Sequence, residues 1–263
     1  MRSHAVGLTV ALALSPAIAR AEEPLGSGDV PEPSVATDPP EDSFLPAHRP
    51  TAAFTLRAGS GTWSPLSSDG IDDALVRAGL PPMTDAMPTF DVAIGGNFGR
   101  FSVELQAGGV FDAARSGHST VTGMRAYALL GYRVLDELPI SIMPTMGVGT
   151  TWLNICANRP GPGGRASGPS FLQVLRNPGP TTCVSSGDAA VLRAGMAFDL
   201  DALFDDVGTI AGLRLRLEPA IEVPFRRTRW RTHLGGEEVM LEGPLGPPIG
   251  LSFGVSVGGV IGF

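Results

Sequence analysis

The sequence predicts an all-β fold, an eight-stranded antiparallel up-and-down barrel that crosses a membrane, with a disordered linker at its N-terminal side. Three observations predict it. From Thr51 onward, apolar and polar residues alternate with period two, the signature of strands with two unlike faces. The connections between these segments alternate between short and long. The apolar face carries no charged residue in any of the eight segments. That last point matters because alternation alone fits a soluble sandwich equally well. At the bilayer midplane an Arg on a lipid-facing position costs roughly 2–4 kcal/mol.

Residues 1–21 read as an export signal. Arg2 gives the basic start, residues 5–14 the apolar stretch, and Ala19-Arg20-Ala21 a small-x-small cleavage site before Glu22. No Cys follows the apolar stretch, so no lipid anchor is expected. Residues 22–50 are rich in Pro and acid with little to bury, which predicts a disordered, extended linker. The barrel is expected over residues 51–263.

Its segments follow in order. The first, about 51–61, turns Phe54, Leu56 and Ala58 to one face, and the second, about 89–97, turns Phe90, Val92 and Ile94. In the third, about 100–112, Phe101, Val103, Leu105 and Ala107 alternate with Ser102, Glu104 and Gln106. The fourth, about 121–134, has Met124, Ala126, Ala128, Leu130, Tyr132 and Val134. The fifth, about 140–153, has Ile140, Ile142, Met146, Val148 and Trp152; the sixth, about 189–204, has Leu192, Ala194, Met196, Phe198 and Leu200. In the seventh, about 210–225, Leu213, Leu215, Leu217 and Ile221 alternate with Arg214, Arg216, Glu218 and Glu222. The eighth is the C-terminal run "GLSFGVSVGGVIGF". Tight turns are expected at "GNFG", "LDELP" and "FDDVGT", and longer loops at 62–88, 113–120, 154–188 and 226–245. An even strand number puts every short turn on one side, together with both ends of the barrel. Trp63, Phe90, Phe111, Trp152 and Phe225 fall toward the long-loop side, and Phe98, Phe101, Tyr132, Phe204 and Phe263 toward the short-turn side. These are expected to form two aromatic girdles.

Composition narrows the field. The chain has Gly 35 and Pro 24, only 17% charged residues, and a net charge of −7, which argues against a general nucleic-acid binder. All 19 basic residues are Arg. After the N-terminus no apolar run approaches the length of about 18 residues that a spanning helix needs. The 2 cysteines, Cys156 and Cys183, are expected to form one disulfide in an exported chain, closing the longest loop on itself. That loop has little apolar content, and loop-closure entropy puts the staple at roughly 3–4 kcal/mol.

The polar face collects Arg57, Asp91, Glu104, Arg125, Arg133, Arg193, Asp199, Arg214, Arg216, Glu218 and Glu222. The interior of an eight-stranded barrel is filled by side chains. Near-balanced charge in such a space predicts a paired plug; the alternative is a narrow path for ions or small solutes. Arg57 is expected to meet Glu222 across the lumen, and Arg125 or Arg193 to meet Glu104.

The export signal, the eight alternating segments and the terminal Phe263 resemble small bacterial outer-membrane barrels of the outer-membrane protein A type. The resemblance covers residues 51–263. It implies a Gram-negative outer-membrane location, contact with membrane lipid and lipopolysaccharide, and recognition of the last strand by the barrel-assembly machinery. Phe253, Ile261 and Phe263 are then both lipid-facing and an assembly address. The chain stops at this strand, so no C-terminal peptidoglycan-binding domain is expected.

A structural or surface-interaction role follows, without enzymatic activity, cofactor or metal. The alternatives are a channel and a lipid-modifying enzyme of the lipid A deacylase or acyltransferase type. For an enzyme the barrel offers only His118, beside Ser116 and Ser119, and His233, both in expected outer loops. Ser near His in sequence is a weak signal, because triads are defined by geometry. The run "RRTRWR" places Arg226, Arg227, Arg229 and Arg231 in an outer loop. It reads either as a grip on lipopolysaccharide phosphates or as a solvated loop. In "IDDALVRAGLPPM" a short helix is expected to start at Asp72 or Asp73 and close at Gly79 and Pro81.

Deleting Phe263 should impair assembly. The truncated protein is expected to reach the outer membrane at reduced level when membrane fractions are quantified; a normal level would remove the assembly-address role.

Overall fold

The computed structural model describes residues 49–66, 69–83, 86–112, 119–157, 170–176, 182–206, 209–234 and 237–262. The export signal, residues 22–48 of the expected linker, His118 and Phe263 lie outside them.

Eight long strands close a barrel: β1 (Ala52–Pro65), β2 (Met87–Phe98), β3 (Phe101–Asp112), β4 (Ser119–Tyr132), β6 (Ile140–Ala157), β8 (Ala189–Asp206), β9 (Thr209–Arg226) and β12 (Gly250–Gly262). Each pairs antiparallel with its neighbours in that order, and β12 returns to β1. The expected faces are those observed. Leu56, Ile94, Leu105, Leu130, Met146, Leu200, Leu213 and Val257 all point outward and are exposed. Their alternates point inward and are buried. No edge is left in the closed ring, and the apolar outer band is one that lipid solvates and water does not.

Several expected connections are more ordered than loops. The turn between β2 and β3 is Gly99-Arg100, two residues later than the "GNFG" reading, with Gly99 at φ 56°. A left-handed residue suits Gly in a two-residue hairpin turn. β5 (Leu135–Glu137) sits inside "LDELP" and pairs with the start of β6. The 154–188 region carries the outer end of β6, α2 (Phe171–Arg176) and β7 (Thr182–Ser185). The 226–245 region, expected as a loop, folds as a hairpin of β10 (Thr228–Leu234) and β11 (Glu237–Gly246).

The helix α1 (Asp69–Arg77) starts earlier than expected. Its end is a Schellman closure: Gly79 N–H donates to Val76, Leu80 N–H donates to Leu75, and Gly79 has φ 73°. Asp72 lies within the helix, not at its start. Its carboxylate accepts from Met83 N–H at 2.8 Å and holds the returning chain.

These pieces form a lid with its own apolar core. Ile71, Leu75 and Leu80 of the α1 region pack with Phe171, Val174 and Leu175 of α2, with Trp230 and Leu241 of the hairpin, and with Val184 of β7. From below, the inward residues at the top of the barrel join them: Trp63, Met87, Val110, Val121, Leu153 and Ile155. Phe171 and Trp230 lie with ring centroids 5.1 Å apart. The loop read as poor in apolar content thus contributes three fully buried side chains. Trp63, expected in a girdle, is 3% exposed and inside the lid. Its odd number sets it on the same face as Arg57, opposite to Phe54 and Leu56.

Cys156 and Cys183 face each other across β6 and β7 and are bonded, as expected. Thr232 Oγ1 donates to Cys183 O at 2.9 Å, tying the hairpin to the same corner. The purified, unreduced protein should take up no thiol-alkylating reagent, and reduction should expose both cysteines; mass spectrometry reads the difference. Labelling before reduction would contradict the bond.

Candidate functional site

The inward faces of the barrel strands hold the charges, and the structure joins them into one chain of alternating sign. From the top, Asp91 meets Arg125 at 2.7 Å, and Arg125 meets Glu222 at 3.0 Å. Glu222 meets Arg193 at 3.9 Å, Arg193 meets Glu218 at 3.0 Å, and Glu218 meets Arg57 at 3.5 Å. Arg57 grips Glu104 with two nitrogens, its Nε at 3.0 Å from Oε2. Glu104 continues to Arg216 at 3.1 Å, Arg216 to Asp199 at 2.6 Å, and Asp199 to Arg214 at 3.6 Å. Arg214 holds Asp201 at 2.7 Å, and Asp201 is shared with Arg49. Arg49 reaches Asp136 at 2.8 Å, and Asp136 lies 4.0 Å from Arg133 at the foot.

This ladder contains seven arginines and seven carboxylates. All eleven residues of the expected polar face belong to it. The expected partners do not hold: Arg57 pairs with Glu104 and Glu218, Glu222 with Arg125 and Arg193, and neither Arg125 nor Arg193 touches Glu104. Sequence parity fixes the face but not the height, and the strand stagger sets the heights.

Three members lie beyond the sequence reading. Asp201 obeys the parity of Arg193 and Asp199 and is readable on that basis. Asp136 sits in a turn. Arg49 falls in the expected linker, yet its side chain is 6% exposed and Pro50 is buried beside Gly262. The linker boundary therefore falls before Arg49.

Glycines make the ladder fit. Gly108 stands in register between Asp91 and Arg125, and a Cβ there would collide with the Asp91 carboxylate. A Cβ on Gly250 would strike the Trp63 indole. That indole donates from Nε1 to Glu222 Oε2 at 3.0 Å, so one side chain belongs to both the lid core and the ladder. Lower down, the Arg193 guanidinium lies 5.5 Å from the Tyr127 ring centre, and Gln106 accepts from it at 2.8 Å. The foot is closed by Ala53, Leu203, Ile210 and Val260, with Leu138 against them. Burial pulls the Arg133 guanidinium down to about 10, and the nearby Arg214 charge adds to the effect. Arg133 is the least closely paired member, with Gly99 O as acceptor at 3.2 Å.

Outside the ladder, Arg226, Arg227 and Arg229 are exposed at the top of β9 and on β10, while Arg231 pairs with Glu238 at 3.2 Å. His233, expected in a loop, stands on β10 opposite Glu238. Phe253 and Ile261 face outward on β12.

No protein-family model matches the chain, and no curated protein matches it. Among solved structures it is similar in fold to the attachment invasion locus protein Ail of Yersinia pestis, with 8% identity over 80% of this chain and 97% of that one and a TM-score of 0.37. It is also similar to a major outer membrane protein from Thermus thermophilus, with 11% identity, 80% and 99% coverage and a TM-score of 0.40. OprG from Pseudomonas aeruginosa gives 12%, 80% and 97%, and 0.38.

Arg214→Ala and Glu104→Ala should each strand an opposite charge in the lumen, at roughly 3–5 kcal/mol. Urea unfolding in lipid vesicles is expected to show both midpoints well below that of Arg229→Ala, whose side chain is exposed. Equal midpoints for the three variants would mean that the ladder is not what holds the interior together.

Proposed function

We propose that this chain is a bacterial outer-membrane barrel with a closed polar lumen, acting as a structural or surface-interaction protein and not as an enzyme. The observation that carries the reading is the ladder. It runs unbroken and charge-balanced from Asp91 to Arg133, between the lid core above and the apolar foot below. The cavity among its upper members measures about 20 Å³, and the one at its foot about 10 Å³. Each is room for about one water, far short of a hydrated ion's path.

The outer-membrane assignment rests on three further features. The outward surface is apolar, the crossing is made by closed strands, and the chain carries both an expected export signal and a disulfide. With the N-terminal side and short turns in the periplasm, the lid faces outward, where it is the surface offered to partners. Of the two histidines weighed for catalysis, His118 lies outside the described residues. His233 lies exposed on the β10–β11 hairpin with Glu238 opposite.

Planar-bilayer recordings should show no steady conductance from the wild-type protein, and unboiled samples should migrate faster than boiled ones on a denaturing gel. A stable, reproducible open channel would overturn the closed lumen. The absence of a gel shift would overturn the barrel's membrane role.

A further inference from the structure

We propose that the foot of the lumen is a binding site for one small monovalent anion of the size of chloride, held between the guanidinium groups of Arg49, Arg133 and Arg214. The site rests on the closed lumen proposed above and goes beyond it, because it assigns a ligand to the foot of that lumen.

The ladder balances as a whole but not along its length. An alternating chain with equal numbers of each sign starts on one sign and ends on the other. This one starts at the top on Asp91 and ends at the foot on Arg133. Of its seven arginines and seven carboxylates, Arg49, Arg133 and Arg214 belong to the foot with only Asp136 and Asp201. Asp199 stands between the two parts, but it meets Arg216 above at 2.6 Å and Arg214 below at 3.6 Å. The foot therefore holds the surplus guanidinium.

That surplus falls on Arg133. Asp201 is engaged by its neighbours: its oxygens accept from Arg214 Nε at 2.7 Å, from Arg214 Nη2 at 3.0 Å, and from Arg49 Nη1. Asp136 lies 2.8 Å from Arg49 but 4.0 Å from Arg133. Arg133 donates from Nη1 to a neutral acceptor, Gly99 O, at 3.2 Å. Among the described residues, Arg133 Nε and Arg49 Nη2 are buried without a hydrogen-bond partner.

Beside these groups lies the foot cavity of about 10 Å³. The three arginines and Asp201 line it, with Ala53 and Leu203 among its apolar walls. A volume of that size admits one water-sized species. Charge and donor count decide which. A water needs acceptors for its own hydrogens, and the acceptor side chain in the lining, Asp201, is already shared by two arginines. A small anion only accepts, so it suits a wall of N–H donors. Its charge also offsets the third guanidinium where water is scarce. Charge-assisted bonds of this kind are stronger than bonds to a neutral acceptor. Size excludes phosphate, sulfate and carboxylates. The ion exchanges from below, where the Asp136 side chain is 21% exposed.

Bromide, which substitutes for chloride and scatters anomalously, is the probe. Crystals of the folded protein in sodium bromide should give an anomalous peak between Arg49, Arg133 and Arg214, and Arg133→Met should lose it. Stability gives a second reading. Bromide is raised at constant ionic strength against gluconate, which is too large for the cavity. The wild-type urea midpoint in lipid vesicles should then rise. At a hundred times its dissociation constant, a one-site ligand shifts the folding equilibrium by about a hundredfold. Arg133→Met should lose that rise, and Arg229→Ala, at the top of the barrel, should keep it. Gel migration checks that the variants fold, and Arg49→Gln stands in if Arg133→Met does not. No peak in the wild type would overturn the site, as would a rise of equal size in the foot variant. A peak that persists in that variant marks an adventitious ion only, and overturns the site too. Bilayer recordings on the same protein separate the two readings. A steady open channel brings down the closed lumen and the site with it; a closed lumen without bound bromide brings down the site alone.

Discussion

Charge alternates in sign along the lumen, and the strands, the glycines and the lid are all arranged around that alternation. The ladder lies between two apolar layers, where an unpaired charge is costly and water is scarce. Several of the arginines therefore reach carboxylates on more than one strand. Arg216 touches Asp199 of β8 and Glu104 of β3, and Arg125 touches Asp91 of β2 and Glu222 of β9. These bonds cross the barrel as well as run along it. They fix the strands relative to one another in a way that the backbone ladders alone do not. They also explain the glycines: two large side chains that meet from the strands on either side of a third need a residue without Cβ between them, as at Gly108.

The lid and the ladder are one construction. The inward face changes character near the top of the barrel, from charged to apolar, at Trp63, Val110, Val121 and Leu153. A charge at that height would sit against the lid without a partner. At mid-height buried apolar residues such as Leu129, opposite Glu104 in register, stand among the charges without breaking the alternation. Trp63 stands at the boundary, with its ring in the lid core and its N–H on Glu222. The disulfide joins β7 to β6 just above, which orders the strand that carries Val184 into the same core. The lid thus has the interior of a small soluble domain, while the barrel below it has the reverse polarity.

Much of the fold was legible in the sequence because period-two alternation is read one strand at a time. The outward faces of all eight long strands follow from it, since one parity must suit lipid along the whole length of each strand. The legibility stopped where a segment is shaped by partners far away in sequence. The "RRTRWR" run has no long alternation, and its strand exists because Trp230 finds the lid core and β11 pairs alongside. α2 is six residues long; Ser170 and Gln173 give its start a capping-box pattern, but so short a helix is held in place by the burial of Phe171, Val174 and Leu175.

Strand number, the two faces, the pair of cysteines and the identity of eleven ladder charges follow from the order of residues, because each depends on local alternation or on a count. Which charge meets which does not, since pairing depends on the stagger between strands that closure of the barrel imposes. The place of Arg49 in the barrel is likewise a product of closure. An arginine in a Pro-rich, acidic stretch has no local reason to be buried; only the arrival of Asp136 and Asp201 at the same foot of the lumen gives it one.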